Sequence, residues 1–104
     1  MARYDVFANP VATERKQIPF LLDVQNDYID TLETRVVVPL WRESAFGPRA
    51  RHLNPCLVVA AETVVLDTAA LAAIPRNELR KAVASLVGAR AEIQEALDTL
   101  FGAY

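Results

Sequence analysis

Arg35 to Trp41, reading RVVVPLW, constrains the fold more than any other stretch of the chain. β-branched valines favour extended backbone, where they fit a pleated surface, over helix, where they lose rotamer freedom. Pro39 inside the run has no N–H to give to a ladder, which implies an edge position, a bulge or a bend at that residue. A chain holding this segment has to supply strands to pair with it.

The preceding residues offer two. Arg3 to Ala8, RYDVFA, is short, β-prone and stopped by Asn9-Pro10, which predicts a first strand. Val11 to Gln17 is polar and aperiodic and reads as a surface loop. In IPFLLDVQ, Phe20, Leu22 and Val24 alternate with Leu21, Asp23 and Gln25. That pattern predicts a second strand with one dry and one mixed face, paired with the first through a long connection. Between it and RVVVPLW lies NDYIDTLET, where Asp27, Asp30 and Glu33 make the chain too polar for a strand. Tyr28 and Ile29 stand among those acids. On a loop such a pair has the placement of a binding group, the alternative being that both side chains fold back onto the core.

Arg42 to Asn54, RESAFGPRARHLN, is the least regular stretch and the most basic, with Arg42, Arg49, Arg51 and His52 around a Gly47-Pro48 turn. Cys56 to Ala60 and Thr63 to Asp67, CLVVA and TVVLD, have hairpin length around Ala61-Glu62, without an Asn-Gly turn dipeptide. Their near-continuous apolar character predicts burial on both faces. Thr68 to Ile74 is alanine-rich and ends at Pro75, so a loop or one helical turn fits it. Arg76 to Ser85 suits either a strand or a helix continuous with the C-terminal one.

The last stretch, LVGARAEIQEALDTLFGAY, places Leu86, Ile93, Leu97, Leu100 and Phe101 on one face of an amphipathic helix. Arg90, Glu92, Glu95 and Asp98 fall mostly on the other flank. Gly102 suits the position after a helix end, where a positive φ is often needed. Ala103 and Tyr104 close the chain. The helix either covers one side of a small core or also carries this short tail to a partner.

A chain of 104 residues has the size of one domain spanning 1–104, and 53% hydrophobic with 23% charged residues is ordinary globular composition. No apolar run reaches the roughly 18 to 20 residues of a membrane span, and the N-terminus lacks a signal-peptide layout. The single cysteine, Cys56, cannot form an internal disulfide, so a reducing, cytoplasmic setting is expected. A formal charge of −2 gives no general grip on nucleic acid, and the expected partner is a protein. Catalytic signals are scarce: no glycine-rich phosphate loop, no paired-cysteine spacing and no Ser/His/Asp set. His52 has no second histidine, so a histidine metal site is not expected, nor is a cofactor. Cys56 opens an apolar run, where a thiol acts as a small hydrophobe.

The run FLLDVQNDYIDTLETRVVVPL closely resembles the same region of the CcdB toxins, with their apolar-Asp-Val-Gln-polar-Asp-apolar-Ile-Asp-Thr pattern, short loop and β run ending in Pro-Leu. The likeness continues through Leu53, Pro55, Glu62 and Ile74-Pro75. From there Val83, Ala84, Leu86, Ile93, Ala96 and Phe101 fall on positions of like character.

The resemblance implies an SH3-like small barrel, mainly β with a C-terminal helix, assembled as a homodimer and shared with MazF-type endoribonucleases. It implies a non-enzymatic toxin that binds the A subunit of DNA gyrase, traps its cleaved-DNA complex and is neutralised by a CcdA-like antitoxin. It also favours an extended Leu79 to Ser85, with the helix starting near Leu86. The gyrase-binding residues it implies are Tyr28, Ile29, Asp30, Asp98, Phe101, Gly102, Ala103 and Tyr104. Ile29 and Phe101 match the family types, but the family's Trp-Gly-Ile ending is replaced by Gly102-Ala103-Tyr104. Tyr104 supplies the aromatic contact from a shifted position, or the target is lost or altered. The rival of another class, a MazF-like endoribonuclease, would have to draw its groove from Arg42, Arg49, Arg51 and His52.

Overall fold

In the computed structural model, which describes residues 1–102, the strands are β1 (Asp5–Ala8), β2 (Phe20–Asp23), β3 (Thr34–Arg42), β4 (Cys56–Val59), β5 (Glu62–Leu66), β6 (Ala72–Pro75) and β7 (Ala84–Ser85). Helix α1 (Arg90–Phe101) comes after them. The strands form one sheet in the order β4-β5-β3-β2-β1-β7, with β6 also paired to β3. Curled around its own core, the sheet makes a small, nearly closed barrel with the helix at its side.

The valine-rich run is the longest strand, and every partner it takes is antiparallel. Pro39 does not put it at an edge. β2 pairs along one side of β3, with Leu21 opposite Pro39. On the other side β6 covers Thr34 to Val37 and β5 covers Leu40 to Arg42. Pro39 sits where one neighbour gives way to the other, at the bend that a residue without an N–H tolerates.

β1 and β2 pair as expected, although β1 begins only at Asp5 because Tyr4 turns the chain at φ 74°. The mixed face expected of β2 is dry: Leu21 joins a small cluster with Phe7, Val37 and Leu79, while Asp23 and Gln25 are buried polar residues. Phe20, Leu22 and Val24 face the main core as predicted.

The β4–β5 hairpin forms around Ala60 and Ala61, both with positive φ, 50° and 65°. Burial on both its faces is not found. β4 is the last strand of the sheet, and Val58 points to solvent with 63% exposure while Leu57 and Val59 are buried. Thr68–Ala70 makes the expected single helical turn, but Ala72–Pro75 is a strand instead of a loop. Of Leu79 to Ser85, expected to be extended, only Ala84–Ser85 is strand, the short β7 that pairs with β1, and the chain bends at Lys81 before it. A 3-10 turn over Val87–Ala89 leads directly into α1.

The helix buries Ile93, Ala96 and Leu97, with Leu86 before it, against Val6, Leu22, Val38, Leu40, Leu57, Val64 and Leu66. Phe101, expected on this face, departs from it with 71% exposure. Among the described residues no helix is long and apolar enough to cross a membrane.

Candidate protein-binding site

The Tyr28–Ile29 loop is exposed at its tip and braced from below. The Asn26 side chain accepts the Tyr28 N–H at 2.9 Å, starting a 3-10 turn over Asp27–Ile29. Asparagine suits this role because its short amide replaces a backbone acceptor at a turn. Tyr28 is 94% exposed, and Ile29 and Leu32 are about half exposed, 47% and 48%. The side chains therefore do not fold back onto the core. Arg76 donates to the carbonyls of Asp30 and Leu32, holding the far end of the loop to the start of the next turn.

Beneath the loop lies a buried polar network. Arg35 is fully buried and reaches Asp23 through Nε and Nη2 at 2.8 and 2.9 Å. Asp23 also accepts the Gln25 N–H at 3.0 Å. Gln25, itself buried, donates Nε2 to the Ile29 carbonyl at 3.2 Å and accepts the Val36 N–H at 2.9 Å. A charge pair out of water survives only with such geometry and added hydrogen bonds. One side of the network holds the sheet together, and the other holds the carbonyl of a candidate contact residue.

None of Asp23, Gln25 and Arg35 figures among the candidate site residues read from the sequence. Their signal was present as an aspartate within an apolar run and an arginine opening the valine run. Which strand faces they share depends on the pairing of β2 with β3, and that is a tertiary fact.

At the other candidate region, Asp98 is half-buried and accepts Gln94 Nε2 at 2.9 Å. Phe101 projects into solvent at the last turn of α1. Gly102 closes the helix at φ 74°, its N–H donating to the Asp98 carbonyl, as a left-handed cap requires. Ala103 and Tyr104 lie outside the described residues.

In the basic stretch Arg49, Arg51 and His52 line one pocket with Asn54 and Pro55, and three of the four basic side chains have polar partners. Arg42 pairs with Glu62, Arg49 donates to the Asn54 carbonyl at 3.1 Å, and His52, at φ 66°, pairs with Glu95 on α1. Cys56 is half-buried with Sγ 3.5 Å from Glu43 Oε2, and burial pushes its thiol pKa up. Among the described residues no cluster of His, Cys, Asp and Glu could hold a metal ion.

A sequence comparison with curated proteins found no match. A family model described as CcdB protein matches residues 3–102, nearly the whole chain, and ends before the candidate residues Ala103 and Tyr104. Matched over nearly its whole length, the chain belongs to the CcdB family, a family of toxin–antitoxin toxins.

Proposed function

We propose that this chain is a toxin acting on the A subunit of DNA gyrase, as a homodimer, without catalysis of its own. In this reading it traps the cleaved-DNA complex, works in the cytoplasm and is neutralised by a cognate CcdA-like antitoxin. One observation carries the proposal: Tyr28, Ile29 and Phe101 are large apolar side chains held out in solvent on braced elements. Such groups gain nothing for the fold where they stand, and they have the character of binding hot spots. Asp30, Asp98 and Gly102 border them, and Ala103 and Tyr104 complete the expected contact set. A two-fold axis would present the set twice to one target.

The test is to induce the chain in a bacterial host and to assay supercoiling by purified gyrase with and without it. Growth arrest, inhibited supercoiling and accumulation of cleaved DNA are expected. Normal growth with undisturbed supercoiling would overturn the gyrase assignment. RNA cleavage abolished by replacing Arg51 and His52 would instead select an endoribonuclease.

A further inference from the structure

The two candidate regions are far apart in sequence, yet a short path of hydrogen bonds joins them through Arg3. The main-chain N–H of Arg3 donates to Asp27 Oδ1 at 2.8 Å. Its Nη2 donates to Gln94 Oε1 at 3.2 Å, and Gln94 Nε2 donates onward to Asp98 Oδ1 at 2.9 Å. Asp27 immediately precedes Tyr28, and Asp98 lies one turn before Phe101 and Gly102. Below the loop, Arg35 Nη2 is 3.8 Å from Asp27, so this path touches the buried network as well.

Arg3 is held in place for this role. The Tyr4 N–H donates to the Asp23 carbonyl at 2.7 Å, and the Tyr4 side chain packs against the main core. The Arg3 guanidinium carbon lies 5.1 Å from the centre of that ring, within cation–π range. Asp5 accepts the Ala2 N–H at 3.0 Å and donates its own N–H to the Ala2 carbonyl at 3.0 Å, folding the first residues into a turn. Terminal residues usually fray unless tied down, and these are tied on both sides of the arginine.

We infer that Arg3 is a positioning residue that locks the Tyr28–Ile29 loop to α1, so that both regions meet a partner as one rigid surface. The inference rests on the proposed reading of that surface as the gyrase contact. A partner touching both regions would otherwise lose affinity by having to order the loop against the helix. Arg3 is half-exposed, and its side-chain bond to Gln94 lies near the surface, so losing that bond is felt in the placement of the loop against α1 more than in global stability. The bond to Asp27, made by the main-chain N–H, stays in every Arg3 variant.

The test compares Arg3→Ala, Gln94→Leu, the double variant and Arg3→Lys with the unaltered protein. Amide exchange of Tyr28 and Ile29 is followed by NMR in the free protein, and affinity is measured for purified gyrase A subunit. Each single truncation is expected to speed exchange and to weaken binding about three- to tenfold, the size of one lost hydrogen bond. The double variant should be no worse than either single one, because both cut the same path. Arg3→Lys should restore part of the loss, and the unfolding midpoint should stay put in all four. Unchanged exchange, additive losses or unchanged affinity would overturn the inference. If the unaltered protein does not bind gyrase A at all, the functional reading fails separately, and the exchange rates alone decide whether Arg3 locks the loop.

Discussion

Arg35 and Asp23 hold each other through two hydrogen bonds of 2.8 and 2.9 Å, with neither side chain reaching solvent. The planar guanidinium meets both carboxylate oxygens, an arrangement lysine could not reproduce. Because Gln25 extends the network to the Ile29 carbonyl, the pair that ties β2 to β3 also supports the exposed loop.

Removing one partner leaves the other charged and buried. Arg35→Met or Asp23→Leu should therefore destabilise the protein by about 3–5 kcal/mol. The double variant should recover most of that loss, since two apolar side chains leave no orphaned charge. Urea unfolding of all three checks this. A double variant as unstable as the singles would show that the network contributes shape, with charge compensation of little weight.

The turn between β4 and β5 is occupied by residues poorly suited to it. Ala60 and Ala61 both have positive φ, the backbone of a type I′ turn, where each Cβ carries a steric cost that Asn-Gly relieves. Replacing Ala60 with Asn and Ala61 with Gly should stabilise the fold by about 1 kcal/mol, raising the melting temperature by roughly 4–8 °C for a domain of this size. Calorimetry of the double substitution is the measurement. A lower melting temperature would contradict the turn geometry.

That turn illustrates what could and could not be read from the sequence. The hairpin was legible from its two apolar runs, but nothing in Ala-Ala announces a positive φ. β3 and the β1–β2 pair followed from β propensity and alternation, and Gly102 from its place after the helix. β6 was missed because Ala72 and Ala73 are poor strand formers. They become a strand because β3 has an open side before Pro39, where β5 does not reach. Phe101 matched the helical period and still lies outside the core. Burial fades from Leu97 through Leu100 to Phe101, so the helix outruns the sheet it packs on, and periodicity carries no information about that length. Tyr28 and Ile29 were legible as a candidate contact because they are apolar in an acidic loop. Their support by Gln25, Arg35 and Arg76 depends on strand pairing and was not.

Cys56 gives the protein a readable pH response. Burial raises its thiol pKa above the ordinary 9.0, Arg49 opposes this, and the hydrogen bond and charge of Glu43 add to it. The folded state thus keeps this proton where the unfolded chain has released it. The associated stability is fully present below the ordinary value and is lost as pH rises through the folded one. Alkylation by iodoacetamide should be slower than for an unhindered thiol, and Glu43→Gln should speed it while Arg49→Ala slows it. Cys56→Ser should remove this part of the alkaline decline in unfolding free energy. Rates that ignore both substitutions would show that access, and not thiolate content, controls the reaction.

The two most exposed candidate contacts allow function to be separated from folding. Tyr28 is 94% exposed and Phe101 71% exposed, so truncating either removes almost no buried area from the folded chain. Tyr28→Ala and Phe101→Ala should each leave the unfolding free energy within about 0.5 kcal/mol of the original, as surface substitutions usually do. Under the gyrase reading, each should weaken binding to the A subunit by about 2 kcal/mol or more, roughly thirtyfold, and relieve growth arrest. Ile93→Ala is the opposite control: it empties a fully buried position, should cost about 2–5 kcal/mol, and would lower toxicity only by lowering the amount of folded protein. Comparing supercoiling inhibition per folded molecule distinguishes the two kinds of loss. If Tyr28→Ala and Phe101→Ala inhibit gyrase as well as the unaltered chain does, the exposed ring on the loop and the exposed ring on the helix are not what the toxin uses to seize its target.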